Sequence, residues 1–410
     1  MTALPGRRRR NTLLALAGGL VAAILMPLLV YVGAVAISNS NAGENALSGV
    51  PPEQAFPQTP TGMLATVSDN NELTSVTVFV LAPQAEGDSA TYDQRGGSVV
   101  SVPINIDAGS EGQLLSLHDA YALGGEEELR ADVESVLSLT LDNSAVMKEA
   151  DFADFLAGLP TVDVDFPRDV LGADDTVMYA KGPQSLSGQD VAKVITTRSA
   201  TQPERLRQPN IDALWSGITA AIGPGRAGQT LSAGPPTTFA ELAARLTAGQ
   251  SASRGLIARQ LGQDRNPEAL DVEELDRPDA LLVFASIAPA QMSRPGSGLT
   301  YRLEAPAGFD AQVRKLIAEL VAVGGNVVSV DLNADSHPET AVFVYDPEVA
   351  AVEPTDNSIL GPVSVETPDV RLGGVDETIS LGTTYLNGVD LTAPDATSTS
   401  STVAPPGTGA

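Results

Sequence analysis

The chain has 410 residues, of which 43% are hydrophobic and 4% are aromatic, and its formal net charge is −27 at pH 7. This length predicts two or three domains, and this charge argues against nucleic acid as a partner, because the chain would repel phosphate backbones at long range. There are no cysteines and only two histidines, His118 and His337, which excludes disulfides, thiolate zinc sites and cysteine catalysis and nearly excludes a multi-histidine metal site.

The N-terminal residues have the pattern of a membrane anchor. Arginines occupy positions 7–10, and residues 13–37 follow without a charged side chain. That stretch is long enough to cross a bilayer core of about 30 Å, and the arginines predict that residues 1–12 are cytoplasmic. The alternative is a cleavable signal peptide, whose apolar region is typically only about 7–15 residues long. We expect a retained single-pass helix in the cell membrane, a linker over residues 38–63, and main domains outside the cytoplasm.

Strand and helix patterns alternate over residues 64–291, which predicts an α/β domain. Strands are predicted at residues 76–80, 98–103, 144–148 and 162–166, and a buried strand at 280–287. Helices are predicted at residues 114–123, 126–139, 151–159, 211–222, 239–246 and 256–261. The acidic residues 267–276 are read as a connector or a last helix.

A smaller unit is predicted over residues 299–347. A strand at 301–305 is followed by a helix with Asp310 as its N-cap and an apolar stripe at helical spacing. Two further strands, at 327–330 and 341–345, complete a β-α-β-β unit. Residues 348–410 are acidic and rich in Pro, Thr and Gly, which is typical of a mostly disordered tail.

Residues 187–208 concentrate polar side chains and arginines in an otherwise acidic chain. Two predicted helices flank a polar loop that contains the candidate phosphate-binding residues, namely Arg198, Arg205, Arg207 and Gln208. A guanidinium group presents a rigid fork of donors that fits phosphate and carboxylate oxygens. The alternative is that these arginines are solvated helix ends paired with Glu204 or Asp190, which would contribute little.

Three other residues are weighed as functional groups. His118 could serve as a general base, because its usual pKa suits that task, or it could be a polar residue in a helix turn. Asp163 and Asp165 could be metal ligands, or they could form the solvated edge of a strand. In both cases the second interpretation is the more common one.

Several motifs, in order, resemble the LytR-CpsA-Psr (LCP) family of bacterial cell-envelope proteins. The motifs are TVFVLAP at residues 77–83, SVP at 101–103, HDAYALGG at 118–125, VDVDFP at 162–167, LSGQDV at 186–191 and RSATQPERLRQ at 198–208. The resemblance covers about half of the chain. Residues 299–347 are similar, more weakly, to the small LytR C-terminal domain often found behind LCP domains.

The resemblance implies a fold and a chemistry. The fold would be a three-layer α/β/α domain behind one N-terminal transmembrane helix, followed by the small β-α-β-β domain. The family transfers a glycopolymer from a polyprenyl-pyrophosphate carrier in the membrane lipid to peptidoglycan. Arginines surround the pyrophosphate, acidic residues hold a divalent cation such as Mg²⁺, and an apolar tunnel holds the lipid. The stretch at residues 198–208 resembles the arginine loop that closes on the pyrophosphate.

The chain departs from the family's pattern at positions that carry charge. Ile104 and Asn105 stand where the family has Arg-Asp, and Thr74 lies near an expected acid. Thr196 and Glu204 stand where the family has arginines. Two interpretations therefore stay open. In the first, the chain binds polyprenyl-phosphate-linked intermediates in envelope glycopolymer assembly, with weak or lost transferase activity; in the second, it is a non-catalytic scaffold or regulatory protein that uses the fold for protein partners.

Overall fold

The computed structural model describes residues 52–84, 94–109, 113–226, 231–293, 298–345, 357–368 and 370–392. The predicted cytoplasmic tail, the predicted transmembrane helix at 13–37, most of the predicted linker and the end of the predicted tail lie outside these ranges. Across the described ranges, no helix is both long and apolar enough to span a bilayer.

The strands are β1 (Glu53–Gln54), β2 (Thr61–Val67), β3 (Leu73–Leu81), β4 (Gly97–Val102), β5 (Asn143–Met147), β6 (Val162–Phe166), β7 (Val170–Leu171), β8 (Val177–Tyr179), β9 (Gly182–Leu186), β10 (Ser251–Gly255), β11 (Ala258–Gln260), β12 (Glu273–Leu275), β13 (Thr300–Glu304), β14 (Asn326–Asp331), β15 (Ala341–Val344), β16 (Ser364–Glu366), β17 (Arg371–Leu372) and β18 (Glu377–Ser380). The helices are α1 (Leu117–Leu137), α2 (Glu149–Phe155), α3 (Gly188–Thr196), α4 (Glu204–Ile222), α5 (Phe239–Thr247), α6 (Arg277–Ile287), α7 (Asp310–Ala322), α8 (Asn357–Leu360) and α9 (Thr383–Gly388).

The chain divides into two compact units. One comprises Met1–Gln54 with Pro368–Arg371, and the other comprises Ala55–Thr367 with Leu372–Ala410. In the first unit the described residues include β1, and the backbone N–H of Arg371 donates to the carbonyl of Pro52 at 3.0 Å. The second unit contains both of the larger sheets.

The first five-stranded sheet has the order β10-β4-β3-β2-β5. β3 pairs antiparallel with β2 and β4, whereas β10 and β5 join parallel at the two edges. All nine residues of β3 are buried, because alternate side chains enter opposite faces of the sheet and both faces are covered. The predicted pairing of the strands at 76–80 and 98–103 is confirmed.

Helices cover both faces of this sheet. On one face, Val76, Val78 and Val80 pack into a core with α1 and α6; on the other, Phe79 and Leu81 pack with α2, α3, α4 and α5. The mixed α/β architecture expected from the sequence is confirmed.

Helix α1 replaces the two helices predicted at 114–123 and 126–139. It runs through both predicted ranges but breaks at Gly125, whose φ of 71° lies in the left-handed region. Glycine adopts this conformation without the steric cost that a Cβ imposes. The helix starts where the Ser116 side chain accepts a hydrogen bond from the Asp119 N–H, a standard N-cap.

Two predictions in the second half of this domain are wrong. Residues 280–287 belong to helix α6, not to a strand, and residues 256–261 contain strand β11 and the residues on either side of it, not a helix. Helix α6 buries every residue from Pro278 to Ala285, so it lacks the amphipathic period that marks a surface helix. The sequence nevertheless carries signals for the start of this helix, because Asp276 is its N-cap and Pro278 lies in its first turn.

The domain also begins earlier than the sequence indicates. Strand β2 includes Thr61 and Met63, which lie within the predicted linker over residues 38–63, and every residue of β2 is buried. Phe56 is buried as well. The Pro, Gly and Thr residues before β2 obscure the boundary because their composition is that of a loop.

The second five-stranded sheet has the order β14-β13-β18-β15-β16. The predicted strand-helix-strand pattern is present as β13, α7 and β14, with β13 and β14 parallel. Phe309, not Asp310, is the N-cap of α7; Asp310 is the first helical residue, where a negative charge still favours the helix N-terminus.

The smaller unit extends past residue 347 into the predicted disordered tail. Strand β18 lies between β13 and β15 and pairs with both, and Ile379 and Leu381 are buried. Strand β16 and helices α8 and α9 also fall within residues 348–410. The acidic, Pro-rich composition of the region hid these short elements, because a four-residue strand adds little to an average over sixty residues.

A buried carboxylate joins the ribbon β11-β12 to helices α6 and α7. The Asp276 side chain, 1% exposed, accepts hydrogen bonds from Arg259 next to the first sheet at 2.6 Å and from Arg314 on α7. It also caps α6, since it accepts from the Asp279 N–H at 3.2 Å. One residue thus holds a helix start and two guanidinium groups from different parts of the unit.

We expect Asp276→Ala to lower the free energy of unfolding by about 2–4 kcal/mol, because it removes a helix cap and a buried partner of two arginines. Chemical denaturation of the purified chain measures this. The matched control is Glu274→Ala, whose exposed pair with Arg265 is worth about 0–1 kcal/mol. Equal losses for the two variants would contradict the role assigned to Asp276.

Candidate functional site

The arginine-rich segment folds as two helices joined by a short loop. Helix α3 ends at Thr196 and helix α4 begins at Glu204, so Arg205, Arg207 and Gln208 lie in the first turns of a helix and not in a polar loop. The Asp271 carboxylate accepts from the Glu204 N–H at 2.8 Å, which satisfies one of the free donors at the helix start. Of the predicted residues, only Arg198 lies in the loop.

Arg207 is enclosed by acceptors of the chain itself. It is 5% exposed, and its Nη1 donates to the Thr74 carbonyl at 2.7 Å and to Glu204 Oε1 at 2.9 Å. Its Nη2 donates to the Ile195 carbonyl at 2.9 Å and its Nε to the Thr197 carbonyl at 3.3 Å. The Ile195 and Thr197 carbonyls lie at or just beyond the C-terminus of α3, where the helix dipole favours a positive charge. The side chain joins β3, α3 and α4.

Glu204 is the acidic centre of this cluster. The residue is fully buried, and besides its contact with Arg207 its Oε2 lies 3.5 Å from Arg198 Nε. Arg198 also lies 3.6 Å from Asp271 and keeps about a quarter of its side chain exposed. The structure therefore brings Arg198 and Arg207 together, as predicted, but both face a carboxylate of the chain where the resemblance expects an arginine.

Gln208 and Arg205 face different partners. Gln208 Nε2 donates to Ser101 Oγ at 2.6 Å and to Asp212 Oδ1 at 2.9 Å. Arg205 is exposed; with the Gln260 amide turned so that its oxygen faces the guanidinium group, that oxygen accepts from Arg205 Nε at 3.1 Å and Nη1 at 2.8 Å. The four predicted residues thus do not converge on one space.

The neutral residues at the other expected positions are also built into the fold. Ile104 is fully buried in the core, and Asn105 Nδ2 lies 3.4 Å from Asp271 Oδ1. The Thr74 hydroxyl contacts that of Thr66 at 2.9 Å, and the Thr196 hydroxyl donates to the Ala192 carbonyl at 2.8 Å. Each replacement therefore has a packing or hydrogen-bonding role.

Three acids near this site, Asp212, Asp271 and Glu273, are not among the site residues that the sequence predicts. Asp271 and Glu273 come from a segment read as an acidic connector, and Asp212 lies on α4 one turn after Gln208. The spacing of four residues between Gln208 and Asp212 was the available signal, since such pairs face each other on a helix. No local pattern in the sequence predicts that residues 271–273 lie beside α4.

The residues do not fit the magnesium ion that the resemblance implies. Thr74 and Asn105 offer no carboxylate, and the hydroxyl of Thr74 is already hydrogen-bonded to Thr66. Over the described ranges, no group of three or more metal-binding side chains occurs. Asp163 is on an exposed position of the ribbon β6-β9 and accepts from the Ser185 hydroxyl.

His118 lies in the first turn of α1. Its Nδ1 is 3.2 Å from Asp119 Oδ1, and its backbone N–H donates to the Ile104 carbonyl at 2.9 Å. These contacts match the interpretation of a polar residue in a helix turn. The general-base role has no further support from its described contacts.

Asp212 is a carboxyl group whose surroundings disfavour its charge. Its pKa is raised to about 6: burial is the main cause, hydrogen bonds from Ser101 and Gln208 act in the opposite direction, and the charge of Glu204 adds to the rise. The carboxyl also lies against the Gly255 backbone: a Cβ at that position would be 2.5 Å from Asp212 Oδ2. A side chain at position 255 would therefore force the Asp212 carboxyl to move.

We expect the buried ion pair to act as a structural unit. Glu204→Ala and Arg207→Ala should each cost about 3–5 kcal/mol of unfolding free energy, because each leaves an unpaired buried charge. The double variant should cost clearly less than the sum, which chemical denaturation of all four proteins measures. If the alanine variants do not fold, Glu204→Gln takes the place of Glu204→Ala, because it removes the charge and keeps the shape of the side chain. Additive losses would contradict this arrangement.

Asp212→Asn should remove a pH-dependent loss of stability. The folded-state pKa of about 6 exceeds the reference value of 3.8, so the native state binds the proton more tightly and the stability of the wild type falls as pH rises from about 4 to 6. Above pH 6 the variant should be more stable by an amount on the order of 2 kcal/mol, and below pH 4 this difference should vanish. Unfolding curves from pH 3.5 to 8 check this; a difference that does not change with pH would contradict it.

Comparisons with known proteins give structural likeness only. No protein-family model and no curated protein sequence matches the chain. Among solved structures, TagV from B. subtilis is 14% identical with a TM-score of 0.37, over 55% of this chain and 94% of that chain. A transcriptional regulator from Enterococcus faecalis is 15% identical with a TM-score of 0.37, over 55% and 84%.

A third similar structure is the LytR-CPS2A-psr family protein YwtF (TagT) with bound octaprenyl pyrophosphate lipid. It is 16% identical with a TM-score of 0.36, over 54% of this chain and 86% of that chain. At such identities and TM-scores the likeness assigns neither ligand nor chemistry to this chain. The solved structures similar to this chain thus include members of the LCP family, which is the family that its sequence resembles.

Proposed function

We propose that this chain is a membrane-anchored, extracytoplasmic LCP-like protein that takes part in envelope glycopolymer assembly and has lost phosphotransfer. The observation that carries the loss of activity is Glu204, a fully buried carboxylate at a position where the resemblance expects an arginine. Its contacts with Arg207 at 2.9 Å and Arg198 at 3.5 Å offset the positive charge that a pyrophosphate would need.

A pyrophosphate could reach Arg207 only at a high energetic cost. It would have to displace three backbone carbonyls and a carboxylate from the guanidinium group, and each of them would then be left buried without its donor. Stabilisation of a leaving phosphate depends on donors that are already aimed at the developing charge. In this chain those of Arg207 are aimed at the protein.

The tight packing of the core between the first sheet and helices α2–α5 favours a scaffold role over lipid binding. Phe79 lies in that core with its ring 5.6 Å from Trp215 and 5.2 Å from Phe239, and Phe152 lies 5.9 Å from Trp215. All four residues are at most 5% exposed. A polyprenyl chain entering between the sheet and α4 would have to separate these rings. Binding of polyprenyl-linked intermediates, for which the sequence resemblance speaks, is the second candidate.

The sole tryptophan offers a direct test of these alternatives. In the scaffold version, polyprenyl pyrophosphate added to the full chain in nanodiscs should leave Trp215 emission unchanged. A polyprenyl-pyrophosphate-linked glycan supplied together with an acceptor glycan should release no polyprenyl phosphate above the protein-free background. A shift in emission that polyprenol alone does not produce would support the lipid-binding version.

The same assay can overturn the loss of activity. Turnover that disappears in Arg198→Ala but persists in Arg265→Ala would show that a catalytic arginine remains. Arg198 is the test position because about a quarter of its side chain is exposed and a substrate could reach it. Arg265 is the control because it is an exposed arginine paired with Glu274 outside the cluster. Retention of the chain in alkali-washed membranes is the control for the proposed anchor.

A further inference from the structure

A polar cleft of about 280 Å³ lies beside the first turn of α4. Arg205 forms one side, and residues 260–273 curve around the rest, with Gln260, Asn266, Asp271 and Glu273 among the polar lining residues. The volume lies just below the range for small-ligand sites, roughly 300–1,000 Å³, which suits a ligand of amino-acid or dipeptide size.

Arg205 and Glu273 carry opposite charges in this cleft without touching. Glu273 is 7% exposed, and among the described residues neither side chain has an ion-pair partner within 4.0 Å. Arg205 is instead held by the Gln260 amide oxygen. Two complementary charges that share a cleft but stay apart leave room for a ligand that bears both charges.

The Glu273 carboxylate is poorly compensated by the chain. Burial raises its pKa, as do the charges of Asp271 and Glu204, while the Asn105 amide and the charge of Arg205 act in the opposite direction. Asn105 itself is 2% exposed, and its Oδ1 has no hydrogen-bond partner in the described structure. The polar groups around Glu273 are therefore incompletely satisfied by the described chain, and of these residues Glu273 lines the cleft where a ligand could reach it.

The walls of the cleft are fixed by hydrogen bonds. The Asn266 side chain accepts from the Leu270 N–H at 2.9 Å and donates to the Leu270 carbonyl at 2.8 Å. The Glu273 N–H donates to the Asn105 carbonyl at 2.9 Å, and its carbonyl accepts from the Asp107 N–H at 2.8 Å. A wall held in this way binds a ligand with little loss of chain entropy.

We propose that this cleft binds a small zwitterion, an amino acid or short peptide whose ammonium group contacts Glu273 and whose carboxylate contacts Arg205. A phosphate or pyrophosphate would meet Arg205 but would be repelled by Glu273 and Asp271. A simple cation would meet the two acids but would leave Arg205 without an anion. This assignment goes beyond the proposed function and does not depend on it, because it uses neither a lipid nor a glycan.

Ligand-observed NMR titration of the full chain in nanodiscs tests the proposal. The probes are alanyl-alanine, its N-acetyl derivative, which lacks the ammonium group, and its C-terminal amide, which lacks the carboxylate. Alanyl-alanine should bind, and each derivative should bind about tenfold more weakly or worse, as expected for a lost charge-assisted hydrogen bond. Equal binding of all three probes, or no binding of alanyl-alanine, would overturn the proposal.

Variants identify which end of the ligand meets which residue. Glu273→Gln should weaken alanyl-alanine binding about tenfold and should make alanyl-alanine and its N-acetyl derivative bind equally. Arg205→Gln should likewise weaken alanyl-alanine binding about tenfold, and it should make alanyl-alanine and its C-terminal amide bind equally. Arg265→Gln is the matched control, since Arg265 is exposed on the same segment and pairs with Glu274, and it should bind like wild type.

Two results would assign the cleft differently. Displacement of alanyl-alanine by inorganic pyrophosphate at lower concentration would identify an anion site and overturn the proposal. Equal weakening by Arg265→Gln and Arg205→Gln would point to a general charge effect and would also overturn it. Thermal unfolding of each variant verifies that it is folded before its titration is interpreted.

Discussion

The buried contact between Arg207 and Glu204 fixes the junction on which the rest of the site depends. Arg207 donates to the start of β3, to the last turn of α3 and to the residue that follows α3, while Glu204 opens α4. Burying two charges costs free energy that their attraction offsets only if the remaining donors and acceptors find partners. Arg207 meets this condition with three carbonyls in addition to the carboxylate. Since α4 is positioned by this contact, so are Arg205, Gln208 and Asp212, which follow on the same helix.

The contact also explains why a cluster of arginines need not attract anions. Three guanidinium groups, those of Arg198, Arg205 and Arg207, lie near four carboxyl groups, those of Glu204, Asp212, Asp271 and Glu273. The charge of this region is therefore close to neutral or negative, in a chain whose net charge is −27. An arginine fork selects carboxylate as readily as phosphate, and in this fold the carboxylates come from the protein. The alternative weighed from the sequence, in which these arginines pair with Glu204, is correct in its partner, but Arg207 is buried rather than solvated.

The sequence predicts the elements whose patterns are local and misses those set by tertiary packing. The apolar stripe at Val313, Leu316, Ile317 and Leu320 predicts α7 because a helix with one buried face repeats its apolar residues. Helix α6 is buried on nearly all sides and so reads like a strand, and β18 is too short to stand out in an acidic region. The same holds for the site. The segment at 198–208 is visible as a cluster, but the arrival of Asp271 and Glu273 beside α4 depends on a turn of the chain that no local pattern encodes.

The cleft and the second sheet are linked by very few residues. Glu273 lies in the cleft wall and begins β12; Asp276 follows immediately after that strand, where it caps α6 and holds Arg314 of α7. Helix α6 itself packs into one continuous core that contains apolar residues of both sheets. An interior packed in this way leaves little room for its helices to move independently of one another. The second sheet therefore shares one hydrophobic core with the first sheet and with the helix that Asp276 caps, and does not form a separate core of its own.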